Sequence, residues 1–177
     1  MPGPGPRRRR ALWLLGALTL GLLAVLAVLD GRMQDTGGPG IVGFELAGTR
    51  ERAAEILADW GEKGRDAARL SLWVDYPYLL AYGAFGALAV AATRDTARSR
   101  GWERLSRHGA WIVALPVVGA ACDAVENAGL LLALDGRGGD AAPAVALAFA
   151  LVKFACTLTA GAYLLAGLVA RVRGRRS

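Results

Sequence analysis

Four long apolar runs separated by clusters of charge organise the chain. Residues 11–29 hold 19 consecutive uncharged, largely apolar positions, which matches the roughly 20 residues needed to cross a hydrocarbon core. Residues 70–92, 109–134 and 142–170 form the second, third and fourth runs, the last long enough to cross at a tilt. Alternating Pro and Gly followed by Arg7 to Arg10 predict a disordered basic tail over 1–10. Residues 171–177 predict a second basic tail. The first run is longer than a signal-peptide core and has no small-residue cleavage pattern at its end, so it is read as an uncleaved span.

The polar interval 30–69 carries a different pattern. Gly37-Gly38-Pro39-Gly40 predicts a turn. Thr49 suits a helix N-cap and Glu51 a first turn, while Ala53, Ile56, Leu57 and Trp60 fall on one face. These residues predict an amphipathic helix over about 49–60 lying on the outer membrane surface, with Trp60 at headgroup level. Gly61 and Gly64 loosen the chain before the second span. The expected fold is all-α: one domain over 11–170, a membrane bundle of four transmembrane helices plus one extracytoplasmic amphipathic interfacial helix. Pro116 inside the third run is expected to kink it.

Composition sharpens this picture. Hydrophobic residues are 54% of 177 and charged residues still 20%, so polarity is segregated along the chain. The net charge of +6 comes mainly from arginines flanking the apolar runs, where they anchor helices instead of contacting nucleic acid. The expected partner is the lipid bilayer, with a second copy or a membrane-complex subunit as further candidates, and no nucleic acid. Thirteen arginines in the N-tail, the 94–107 connection and the C-tail stand against seven basic residues in the opposite loops. That excess predicts cytoplasmic termini in a multi-pass protein of a bacterial cytoplasmic (inner) membrane. His108 reads as a surface residue at the start of the third span.

Several chemistries lack their motifs. The chain has no P-loop, no glycine-rich dinucleotide motif, no HExxH and no GxSxG. No cofactor is expected, no metal site is predicted and no catalytic residue is assigned. Cys122 and Cys156 have no metal-binding spacing and read as small buried apolar residues.

Chemistry therefore rests on polar groups inside the spans. The second holds Asp75, Tyr76, Tyr78 and Tyr82, the third Asp123, Glu126 and Asn127, and the fourth Lys153. Each ionisable group costs about 2.5–3.5 kcal/mol at the bilayer centre, so four unpaired ones would cost on the order of 10 kcal/mol. Asp123, Glu126 and Asn127 share one helix stripe, and Lys153 shares one with Thr157 and Gly161. Asp75, Tyr78 and Tyr82 form a third stripe, unless the second span begins at Pro77 with Asp75 as its N-cap. Four antiparallel helices can aim three such stripes at one core. Lys153 is one of only two lysines beside 19 arginines, and lysine, unlike arginine, can lose its proton when buried.

Asp-Tyr-Pro-Tyr-Leu-Leu-Ala-Tyr at 75–82 and Asp-Ala-Val-Glu-Asn at 123–127 resemble a group of small, uncharacterised four-helix bacterial membrane proteins. In that group an Asp begins the second span and a D-x-x-E-N run lies in the third. The resemblance implies four-helix architecture and no particular activity. Three functions follow as expectations. In the first, Asp75, Asp123, Glu126, Asn127, Lys153, Tyr78 and Tyr82 bind a proton, a cation or a small polar ligand, in a transport role. In the second, the same groups serve a membrane-embedded enzyme acting on a lipid-like substrate. In the third, they hold together a structural subunit of an envelope complex.

Overall fold

The structure is a computed structural model that describes residues 5–173. Its elements are all helical: α1 (Pro6–Gln34), α2 (Ile41–Glu45), α3 (Arg50–Ser99), α4 (Glu103–Ile112), α5 (Leu115–Leu134) and α6 (Ala141–Arg173). Four helical stretches are long and apolar enough to cross a membrane: Pro6–Gln34, Arg50–Ser99, Glu103–Leu134 and Ala141–Arg173.

The helices run past several sequence boundaries. Pro6 occupies the first turn of α1, where a missing N–H costs nothing, so Arg7 to Arg10 are helical and not part of a tail. Residues 1–4 of that tail lie outside the described residues. The C-terminal helix likewise continues through Arg171 and Arg173.

α3 is two helices that meet at a kink: the helix expected over about 49–60 and the second span, which abut at Gly61. Thr49 caps it by accepting from the Arg52 N–H at 3.2 Å. Its one break is Gly61, with φ 56° and ψ −157°, a conformation open to glycine and strained for other residues. That break frees the Leu57 carbonyl, which accepts instead from Arg65 Nε at 2.8 Å. Pro77 sits inside α3 and does not begin it, so Asp75 is a mid-helix residue and caps nothing. Trp60 faces inward and is 1% exposed. Its indole donates to the Pro39 carbonyl at 2.6 Å.

The third span is two helices. The chain breaks after Ile112 and restarts at Leu115, with Pro116 in the first turn of α5. A proline there loses no helical hydrogen bond, whereas an interior proline would.

In its apolar window the α4–α5 span is 50% buried, against 6% for that of α1. The core is therefore α3, α5 and α6, with α1 leaning on α3 from outside. Glycines set the α5–α6 spacing. A Cβ on Gly129 would meet the Ala142 carbonyl at 3.0 Å, and one on Gly119 the Cys156 Cβ at 3.3 Å. Cys122 and Cys156 are both free and buried.

The two ends of the bundle differ. At one end the arginine-rich segments converge: Arg8 pairs with Asp95 at 2.7 Å and Arg171 donates to Thr96 Oγ1 at 3.0 Å. At the other, α2 enters between α3, α5 and α6. There Phe44, Trp60, Met33, Ile56, Leu72 and Leu130 form an apolar core, and Arg69 pairs with Asp135 at 2.7 Å.

Candidate functional site

The polar residues of the spans meet just beneath that apolar core. On α5, Leu130 belongs to the core and Glu126, one turn earlier, to the polar cluster. On α6 the buried face runs through Ala142, Ala146, Ala150, Lys153, Cys156, Ala160 and Tyr163. Lys153 lies mid-way along this stripe of small residues, which lets α5 approach closely. The stripe expected through Thr157 and Gly161 does not hold, because both are exposed. Helix rotation follows the alanines, which pack, and Thr157 satisfies its hydroxyl on the Lys153 carbonyl at 2.9 Å.

Lys153 is the centre of the site. Its Nζ donates to Glu126 Oε1 at 2.9 Å, to Asp123 Oδ1 at 3.1 Å and to Glu45 Oε2 at 3.4 Å. An ammonium has three N–H donors, and all three are used. Nζ also lies 2.8 Å from Glu126 Oε2, so the ammonium faces both oxygens of this carboxylate, although Oε2 has no hydrogen bond of favourable angle among the described residues. The Phe154 ring centroid lies 5.0 Å from Nζ.

Residues of α3 flank this centre. Tyr82 donates its hydroxyl to Asp123 Oδ2 at 3.0 Å and packs against Tyr78 with the rings tilted, 5.2 Å between centroids. Asp75 accepts from Asn127 Nδ2 at 2.6 Å. Asp75 therefore joins the cluster through Asn127 and does not touch the ammonium. Tyr76 reaches the Ala124 carbonyl at 3.4 Å. His108 is exposed, with Nδ1 2.7 Å from the Arg104 carbonyl.

Glu45 is the site residue that the sequence reading missed. It belongs to α2, outside every apolar run, in the polar interval after the turn predicted at Gly37 to Gly40. The available signal was Ile-Val-Gly-Phe-Glu-Leu at 41–46, a short apolar stretch with one acid in it. Such an acid is either a surface group or a group buried with its neighbours, and only packing decides which. Here Phe44 stacks on Trp60 at 5.1 Å and draws Glu45 in with it.

Burial is graded across the cage. Side-chain exposure is 0% for Glu126, 5% for Asp123 and 11% for both Glu45 and Lys153. Burial pushes the Glu45 carboxyl above its ordinary range, with Lys153 opposing the shift and Asp123 adding to it. Counting Asp75, four carboxyls surround one ammonium, an excess of three negative charges if all were ionised. Like charges this close do not all ionise. Among the described residues, no group of three acidic, His or Cys side chains is arranged to hold a metal ion, since the ammonium fills the point on which the carboxylates converge.

Compared with known proteins, the chain matches no family model, no curated protein and no solved structure.

Proposed function

We propose that the chain is a multi-pass protein of a bacterial cytoplasmic membrane whose buried cage binds and releases a proton. Both termini and the arginine-rich end face the cytoplasm under this reading, because basic residues are retained there. The α2 end then faces outward, with residues 50–60 of α3 near the headgroups. The resemblance of residues 75–82 and 123–127 to small four-helix bacterial membrane proteins is in keeping with this reading.

One observation carries the proposal: three buried carboxyls, those of Glu45, Asp123 and Glu126, converge on a single ammonium. Buried like charges this close do not all ionise, and a proton on one of them removes an excess charge. Glu126 has no exposed surface, which suits a proton better than a larger ligand. Intramembrane ionisable clusters of this kind serve ion and proton pathways.

The test is an infrared titration of the purified chain in lipid. A protonated-carboxyl band that titrates in the wild type and is lost in a folded Glu126→Gln variant is expected. An absent or pH-independent band would sink the reading.

A second reading has its own observation. The cage draws one or more residues from each of α2, α3, α5 and α6, so it also bolts those elements together. As a purely structural pin, it predicts that Glu126→Gln lowers protein level without changing any titration.

A further inference from the structure

We propose that Glu45 is the residue through which the cage exchanges its proton with the aqueous face at the α2 end of the bundle. The inference rests on the proton-binding reading and adds a route and a side to it.

Position is the first argument. Glu45 is the only cage carboxyl carried by an element that does not span; Asp75, Asp123 and Glu126 belong to α3 and α5. Side-chain exposure falls from 11% at Glu45 to 0% at Glu126. Of the three ammonium contacts, that to Glu45 is the longest, 3.4 Å against 3.1 and 2.9 Å. Glu45 is thus the most loosely held and the most exposed of the three carboxyls on the ammonium; Asp75, which is more exposed, does not touch it.

Chemistry is the second. Glu45 and Glu126 both contact the Lys153 ammonium, through Oε2 at 3.4 Å and 2.8 Å respectively, so their carboxyls stand beside one another. Two buried carboxyls this close do not both stay ionised, and a proton held by one can pass to the other, which accepts it. The groups facing Glu45 are Glu126 and Asp123 from α5, Lys153 from α6 and, more distantly, Asp75 from α3. Of these, Glu126 is the carboxyl that approaches the shared ammonium most closely, at 2.8 Å.

The transfer balances without a co-reactant. Hydronium at the α2 face gives its proton to the Glu45 carboxylate, forming an O–H bond and leaving water. That O–H bond breaks as one forms on Glu126, and Glu45 returns to carboxylate. Lys153 remains an ammonium throughout and holds both carboxyls in place. The opposite face has a longer way in, past the inner core of Val90, Ile112, Ala160 and Tyr163.

The segment around Glu45 is anchored so that it holds position without spanning. The Ile41 N–H donates to Asp30 Oδ1 at 2.6 Å, and Trp60 holds the Pro39 carbonyl at 2.6 Å. A carboxyl on this strap needs no movement of a membrane helix to reach water.

The experiment is a pH jump applied to one face of vesicles of phosphatidylethanolamine and phosphatidylglycerol. The full chain is inserted in one orientation selected by a C-terminal tag, and the proton itself is the probe. The readout is the rate at which the protonated-carboxyl band responds. In the wild type a jump at the α2 face is expected to give the fast response. Glu45→Gln should slow it about a hundredfold, the scale of a positioned proton-transfer group. Glu45→Asp, one methylene shorter and still ionisable, should recover part of the rate and covers the case in which Glu45→Gln does not fold. Wild-type rates in both variants, or a fast response only from the arginine-rich face, would overturn the route while leaving proton binding intact. A wild-type chain with no titrating band would overturn both.

Discussion

Two neighbouring regions at the α2 end are built from the same helices on opposite principles. The apolar core around Trp60 is packed from large side chains, with Trp60, Phe44, Met33, Ile56, Leu72 and Leu130 all under 2% exposed. The cage around Lys153 begins one turn further along α5 and holds four carboxyls, an ammonium, an amide and a phenol. In the core, energy scales with volume and shape, and protonation is irrelevant. In the cage, volume matters little and the count of protons and donors decides the energy. The comparison teaches where this chain can respond to its surroundings: the core resists change, whereas the cage holds more negative groups than it can neutralise.

The sharpest break of the comparison is a matched pair of deletions. Trp60→Ala should cost about 3–5 kcal/mol through the cavity it leaves. Lys153→Met should cost a similar ~3–5 kcal/mol by stranding buried carboxyls. Denaturant unfolding in detergent micelles measures both. The distinction appears on adding Glu126→Gln, which removes one stranded charge: it should restore part of the Lys153→Met loss and none of the Trp60→Ala loss. Equal behaviour would mean that the cage is held by packing alone.

A pH series sharpens the difference. Burial raises the Glu45 carboxyl, so folding favours its protonated form. That contribution is complete below the ordinary glutamate value of about 4.3 and is lost as pH rises through the raised value. The melting temperature should therefore fall as pH rises across that window, and Glu45→Gln should flatten part of the slope. Trp60→Phe should lower the curve without changing its shape.

Smaller effects follow. Tyr82→Phe removes one donor from Asp123 Oδ2 and should cost about 1 kcal/mol, with a shift in the carboxylate infrared band. Leu14→Ala on the exposed face of α1 should change stability by no more than about 0.5 kcal/mol. A large loss there would show that α1 docks onto another surface.

Most of the architecture was legible in the chain because it depends on length and sign. Four apolar runs long enough to span, with arginines at their ends, predict four spanning helices whatever their neighbours are. The Asp123, Glu126 and Asn127 stripe was legible for a similar reason: helical spacing is a local property, and buried charge must find a partner. Helix ends were less so. Gly61 and Pro116 interrupt helices about where the sequence places breaks, but the rescue of a freed carbonyl by Arg65 and the turn at Val113 and Ala114 are not revealed by spacing.

Tertiary structure alone decided who completes the cage. Asp75 had two local readings, cap or site, and the continuation of α3 through Pro77 together with the reach of Asn127 chose between them. Lys153 faces inward with the alanine stripe of α6, since the closest helix approach sets the rotation, not the polar residues that seemed to line up with it. Glu45 joins the cage because Phe44 packs on Trp60 across 16 positions of sequence. Burial of a charge in a short loop is a property of what packs over it, and no local pattern encodes that.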